Sequence, residues 1–210
     1  MPSIKLYDNP LSGHAHRPRA LLKLLNVEYE TVFVDFAKGD HKQPNFLKIN
    51  PLGQVPAFVD EDVALRDSTS ILMYLALTYD PTQQWFPIEP ALAAQVQEWL
   101  AISTKEIYTG PCAARLVKLF GASFDYDDAL KKTEQLFTTL FEPHLTGHDW
   151  LVGDKPSIAD IANYGYVAAA HEGGIDLNTY PNIEAWVKRL EALEGFEAIP
   201  KAANVLGKAA

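Results

Sequence analysis

The sequence predicts an α/β domain followed by an all-helical domain. Residues 1–80 alternate strand-like and helix-like patterns in the order βαβαββα. From 91 to 210 the only periodicity is that of buried helix faces. Between them, Asp80 to Pro90 holds Pro81, Pro87 and Pro90 and no periodic pattern, so 81–90 reads as a linker.

Each element follows from a local pattern. Ile4, Leu6 and Tyr7 mark a short strand, and Arg19 to Leu25 is a helical run with Leu21, Leu22, Leu24 and Leu25 on one side. Glu28 to Asp35, EYETVFVD, alternates polar and apolar as a half-buried strand does. A polar stretch from Lys38 to Pro44 leads into the short helix-like FLKIN. Val55 to Val59 and Val63 to Leu65 flank an acidic turn as two strands, and Ser68 to Tyr79 closes the domain as a helix. Beyond the linker, Leu92, Val96, Trp99 and Leu100 form a buried stripe, and similar patterns recur at 129–145, 158–170 and 183–193. Ser157-Ile158-Ala159-Asp160 has the form of a capping box with Asp in place of the usual Glu, a structural rather than a catalytic motif. The small, polar tail from Ala202 to Ala210 is expected to fray.

Composition excludes several function classes. The chain has 210 residues, 48% hydrophobic and 21% charged, as ordinary globular proteins do. Eighteen basic against 27 acidic residues give a formal charge of −9, and no basic run is interleaved with aromatics, so neither nucleic acid nor an anionic membrane is an expected partner. The single cysteine, Cys112, excludes an intramolecular disulfide and any Cys-x-x-Cys pair, and no metal-ligating constellation is present. The start MPSIKLYDNP lacks the form of a signal peptide, and no apolar stretch approaches the roughly 18 residues of a membrane span. Cytoplasm is the expected address.

The chemistry-bearing signal is NPLGQVP at 50–56 followed by Asp67-Ser68 at the head of a helix. A proline at the start of a strand fixes φ and withholds an N–H, leaving an edge on which an extended peptide can lie. A helix beginning at Ser68 offers unpaired N–H groups and its positive dipole end to a carboxylate, and Asp67 beside it suits an amine. Taken singly, Asp67 or Ser68 also reads as a plain helix cap, and Pro56 as the end of a loop.

With the capping box on an inner helix, this ordered set resembles the soluble glutathione transferases over nearly the whole chain. The residues that carry it are Ser12, His41-Lys42, Gln54-Val55-Pro56, Asp67-Ser68 and Ser157 to Asp160. It is most similar to the serine-type members, the phi and theta groups and their bacterial relatives, because Ser12 follows the first strand and Arg17 stands five residues later. The resemblance implies a thioredoxin-like first domain, a helical second domain, a homodimer, and glutathione as co-substrate without a metal. It also implies that Val55 pairs its backbone with the cysteinyl unit, with Pro56 cis, and that Asp67 and Ser68 hold the γ-glutamyl end. His41, Lys42 and Gln54 then take the glycyl carboxylate, although His41 and Lys42 also read as a solvated loop.

Ser12 precedes a helix expected to begin near Gly13 or His14. Its hydroxyl is placed either to donate to the glutathione sulfur, aided by the helix N-terminus, or simply to cap the helix. His14 stands where many serine-type relatives carry asparagine, so a second donor to sulfur and a capping or exposed histidine are both open. Arg17 either orients the first helix or contacts the site, unless it is a surface arginine, and Tyr7 reads as packing. The acceptor pocket of this family lies between the domains, which makes Leu11, His14, Tyr108, Cys112 and Arg115 its candidates here. Tyr108, Cys112 and Arg115 share one helix face unless Gly110-Pro111 kinks it, and the same face also reads as bundle core or dimer surface. Conjugation of an apolar electrophile is the leading expectation. Glutathione-dependent disulfide or peroxide reduction and a noncatalytic binding module are the alternatives.

Overall fold

A computed structural model describes residues 4–207. Its first layer is a four-stranded sheet of β1 (Ile4–Asp8), β2 (Glu30–Phe33), β3 (Ala57–Asp60) and β4 (Val63–Leu65), in the order β2-β1-β3-β4. β1 runs parallel to β2 and antiparallel to β3, and β3 runs antiparallel to β4. This is a thioredoxin-like arrangement. The parallel pair needs a crossover, which α1 (Gly13–Leu24) supplies. β2 is shorter than its alternating pattern, because its pairing with β1 ends at Asp8↔Phe33.

Period-2 alternation sends the β1 side chains to two cores. Ile4 and Leu6 pack with Leu21 and Leu22 of α1, Phe58 of β3, and Ile71, Leu72 and Leu75 of α3 (Ser68–Tyr79). On the other face Ala15, Val34, Phe46, Val55 and Ala57 make a smaller cluster with Tyr7, which meets Phe46 edge-on at 5.8 Å. Tyr7 is therefore a packing residue. Phe46 comes from α2 (Pro44–Leu47), the short helix before the cis-proline strand.

The second layer is helical: α4 (Pro90–Thr104), α5 (Ala113–Phe120), α6 (Tyr126–Leu136), α7 (Glu142–His144), α8 (Ile158–Ala168), α9 (Pro181–Glu191) and α10 (Ala202–Leu206). α8 is its inner helix, buried continuously from Ile158 to Val167. Its capping box is formed: Asp160 accepts from Ser157 N–H at 2.9 Å, from Leu151 N–H at 2.9 Å and from the Trp186 indole at 2.9 Å. Two stretches that read as regular helix are interrupted by widened turns, Tyr108–Cys112 and Phe137–Phe141. Pro111 in the first and Pro143 just after the second have no N–H to give to the carbonyl four residues back, which loosens the ladder there. At Gly110 the chain leaves helical geometry altogether (φ −100°, ψ −106°), and a Cβ there would come within 3.0 Å of Thr133 Oγ1.

Candidate active site

Strand directions alone gather the predicted residues. The C-terminal end of β1, the N-terminal end of β3 and the C-terminal end of β4 lie at the same edge of the sheet, as the registers Tyr7↔Ala57 and Phe58↔Leu65 require. The loop carrying Ser12, the turn carrying Gln54-Val55-Pro56, and Asp67-Ser68 all leave the sheet there.

Ser12 is the N-cap of α1, with extended backbone (φ −83°, ψ 116°), and its Oγ accepts from Ala15 N–H at 3.2 Å. Capping uses a lone pair and leaves the hydroxyl hydrogen without an acceptor among the described residues. The cap and the donor readings are therefore compatible. The loop before it is fixed by Asn9, whose side chain donates to Val34 O and accepts from Leu11 N–H, and whose carbonyl takes Ser12 N–H at 2.9 Å.

The Val55–Pro56 bond is cis, and among the described residues the Val55 N–H and C=O have no protein partner. Asn50, almost fully buried, holds the turn before it by donating to Gln54 O at 2.6 Å and accepting from Leu52 N–H. Gly53 in that turn has φ +63°, and a Cβ there would lie 3.0 Å from the His41 carbonyl, so only glycine fits. That contact seats the turn bearing His41 and Lys42 against the one bearing Gln54. His41 is half-buried with its ring 4.9 Å from Phe36, whereas Lys42 and Gln54 are exposed.

Asp67 caps α3, and all four of its hydrogen bonds, to the backbone and hydroxyls of Thr69 and Ser70, go to Oδ1. Oδ2 has no partner among the described residues. Burial opposes the charge on Asp67, but the bonds from Thr69 and Ser70 outweigh it and hold the carboxyl below its usual range. Ser68 is buried, and its Oγ accepts from Arg17 Nη1 at 2.8 Å.

Arg17 is no surface residue. It is 1% exposed and donates also to Ala162 O at 2.8 Å and Ser103 O at 2.9 Å, so one guanidinium ties α1 to α3, α4 and α8. Burial draws its pKa down to about 10, which leaves it cationic at neutral pH.

On the helical side the ring of His14 lies 6.0 Å from Tyr108 and 5.1 Å from Tyr166, and Tyr108 lies 5.8 Å from Phe124. Burial, then the charge of Arg17, pushes His14 down to about 3, so it is a neutral imidazole at physiological pH. Tyr108 is 37% exposed, but Cys112 and Arg115 are buried at 0% and 1%. The kink that Gly110-Pro111 allows is present, and with it Cys112 and Arg115 lie buried while Tyr108 stays partly exposed. Burial pushes the Cys112 thiol up to about 11. Tyr166 gave no sequence signal of its own; it is brought in by packing, for beside it Gly165 lies so close to α1 that a Cβ would sit 3.3 Å from the Gly13 carbonyl. The Tyr166 ring lies over Gly13, within 2.9 Å of where a Cβ would be, so α8 touches the very start of α1.

Residues 2–77 match the family model for the N-terminal domain of glutathione S-transferase, and 115–194 match the model for its C-terminal domain. A curated relative, glutathione S-transferase 3 of Zea mays, is 32% identical over 94% of this chain and 93% of its own length. The chain belongs to the glutathione S-transferase family. A glutathione S-transferase structure from Pseudomonas fluorescens superposes with a TM-score of 0.85 at 32% identity, covering 93% of this chain and 98% of that one. A glutathione transferase homolog from Lodderomyces elongisporus, solved with two GSH per subunit, gives a TM-score of 0.83 at 26% identity over 93% and 95% of the two chains. In the family's terms, a thioredoxin-like domain here supplies the sheet edge and a helical domain the aromatic wall. No helix among the described residues is long and apolar enough to cross a membrane.

Proposed function

We propose that the chain is a serine-type glutathione transferase in which the Ser12 hydroxyl donates to the glutathione sulfur and stabilises it as a thiolate. The carrying observation is the Ser12 hydrogen, left at the N-terminus of a helix without an acceptor among the described residues, together with two further groups unpaired among them, the Val55 backbone and Asp67 Oδ2. Each matches one part of the tripeptide. Val55 N–H and C=O pair with the cysteinyl backbone, Asp67 Oδ2 takes the γ-glutamyl ammonium, and Ser68, through its own N–H and hydroxyl at the head of α3, takes its carboxylate. His41, Lys42 and Gln54 receive the glycyl carboxylate.

A free thiol of pKa about 8.5 is only about 3% ionised at pH 7, and lowering it to about 7 requires roughly 2 kcal/mol of differential stabilisation. One hydrogen bond to the anion, assisted by the helix dipole, is of that size. The thiol proton leaves to solvent, the sulfur lone pair attacks the electrophilic carbon, and the leaving group departs with its bonding pair. Leu11, His14 and Tyr108 line the acceptor side, with Cys112 and Arg115 behind them. The buried, hard-to-ionise Cys112 weighs against mixed-disulfide chemistry by the protein's own thiol. The same reading places a homodimer in the cytoplasm, where glutathione is held as the thiol. Sedimentation showing a monomer at micromolar concentration contradicts the dimer.

The test is turnover of an aryl chloride with glutathione, following both conjugate and oxidised glutathione. Wild type is expected to form conjugate, and Ser12→Ala to lose about tenfold or more in kcat. Unchanged turnover in the variant removes Ser12 from this role, and glutathione oxidation without conjugate moves the chain to the reductase class.

A further inference from the structure

Arg115 belongs to the helical domain yet reaches the serine loop. Its Nη1 donates to Leu11 O at 2.8 Å across 104 residues of sequence, and its Nε donates to Glu172 Oε2 at 2.6 Å. The other Glu172 oxygen accepts from Ala202 N–H at 2.5 Å, the first residue of α10. Gly173 makes this possible, since a Cβ there would lie 2.9 Å from Arg115 N and hold the turn bearing Glu172 away from α5. The chain of contacts runs from the C-terminal segment through Glu172 and Arg115 to the peptide bond just before Ser12.

The Leu11–Ser12 peptide plane is thereby gripped at both ends. Its C=O is held by Arg115 and its N–H by Asn9 O at 2.9 Å. Rotation of that plane changes φ of Ser12 and swings Oγ, so the plane's orientation sets where the hydroxyl points. Arg115 also retains a buried terminal nitrogen, Nη2, without a partner among the described residues. We propose that Arg115, oriented by Glu172, is a positioning residue through which the helical domain and the C-terminal segment fix the Leu11–Ser12 peptide and so the aim of the Ser12 hydroxyl. It rests on the role of Ser12 given above.

Two readouts on Arg115→Met and wild type separate the claims. The first is the pKa of glutathione's thiol in the bound state, from thiolate absorbance against pH, with glutathione affinity measured alongside. Arg115→Met is expected to raise that pKa by about one unit, a roughly tenfold loss of thiolate below the wild-type pKa, with affinity within about twofold and partial recovery in Arg115→Lys. The second is amide hydrogen exchange in residues 9–13 without glutathione, expected to quicken in Arg115→Met while exchange in the β3 core does not. Unchanged exchange and an unchanged thiol pKa in a cooperatively melting Arg115→Met overturn the proposal. Faster loop exchange in a protein whose wild type never depresses the thiol pKa upholds the positioning and defeats the reading of Ser12 instead. Should Arg115→Met fail to fold, Glu172→Gln must move both readouts the same way by less, and no movement there overturns the proposal.

Discussion

Asp67 caps α3 through Oδ1 and leaves Oδ2 unpaired among the described residues, and the two roles separate by substitution. Asparagine caps as well as aspartate does, so Asp67→Asn is expected to melt like wild type. It removes the charge facing the ligand ammonium, which is worth about 1.5–3 kcal/mol, so glutathione affinity measured by calorimetry should fall about tenfold or more with kcat little changed. His16 offers a test in stability. It is wholly buried, and burial drives its pKa down to about 3 although Nε2 contacts Glu197 O at 2.6 Å. The unfolded chain takes that proton near pH 6.5 and the folded one only near 3, so the folded state loses ground as pH falls between those values, by up to about 1.4 kcal/mol per unit. His16→Phe should flatten that acid limb in urea melts, and an equally steep limb would assign the acid sensitivity elsewhere. Ser12 and Asp67 as helix caps, and Pro56 just before β3, were legible as structure because caps and strand starts carry local signatures. Tyr166 and Glu172 were not, because they reach the site only through tertiary packing.

The elements themselves were read well wherever periodicity was long, as in α3, α4 and α8, and less well where a missing N–H intervened. A widened turn stands at Pro111, where the sequence allows a kink, and another just before Pro143, where it shows none; at the first, Cys112 and Arg115 are buried while Tyr108 is partly exposed. The capping box of α8 is the most heavily used element terminus. Burial raises the Asp160 pKa, against the bonds from Leu151, Trp186 and Ser157. Asp160→Ala leaves those buried donors without an acceptor at about 1–3 kcal/mol each before relaxation. A loss of roughly 3–5 kcal/mol in denaturant unfolding is therefore expected, and a loss below about 1 kcal/mol would mean the network carries little.

Across the whole molecule, buried arginines make the two layers one site. Arg17 fastens α1 to α3, α4 and α8, and Arg115 fastens α5 to the serine loop. Arg17→Met removes the buried charge-assisted bonds to Ala162 O and Ser103 O and frees Ser68, so it should lower stability by about 2–4 kcal/mol and weaken glutathione binding together. Weakened stability with unchanged binding would divorce Ser68 from the ligand. The change from a mixed strand-and-helix pattern to a purely helical one was legible along the chain, but nothing local marks an arginine whose partners lie on other elements. The Arg115 tie ends beside Ser12, and the decisive measurement is made on that residue. Glutathione is titrated into wild type and Ser12→Ala, and thiolate absorbance in the ultraviolet is followed against pH. The account predicts a bound thiol pKa well below about 8.5 in wild type that returns toward it in the variant; a saturated wild-type protein with no depressed thiol pKa would contradict it.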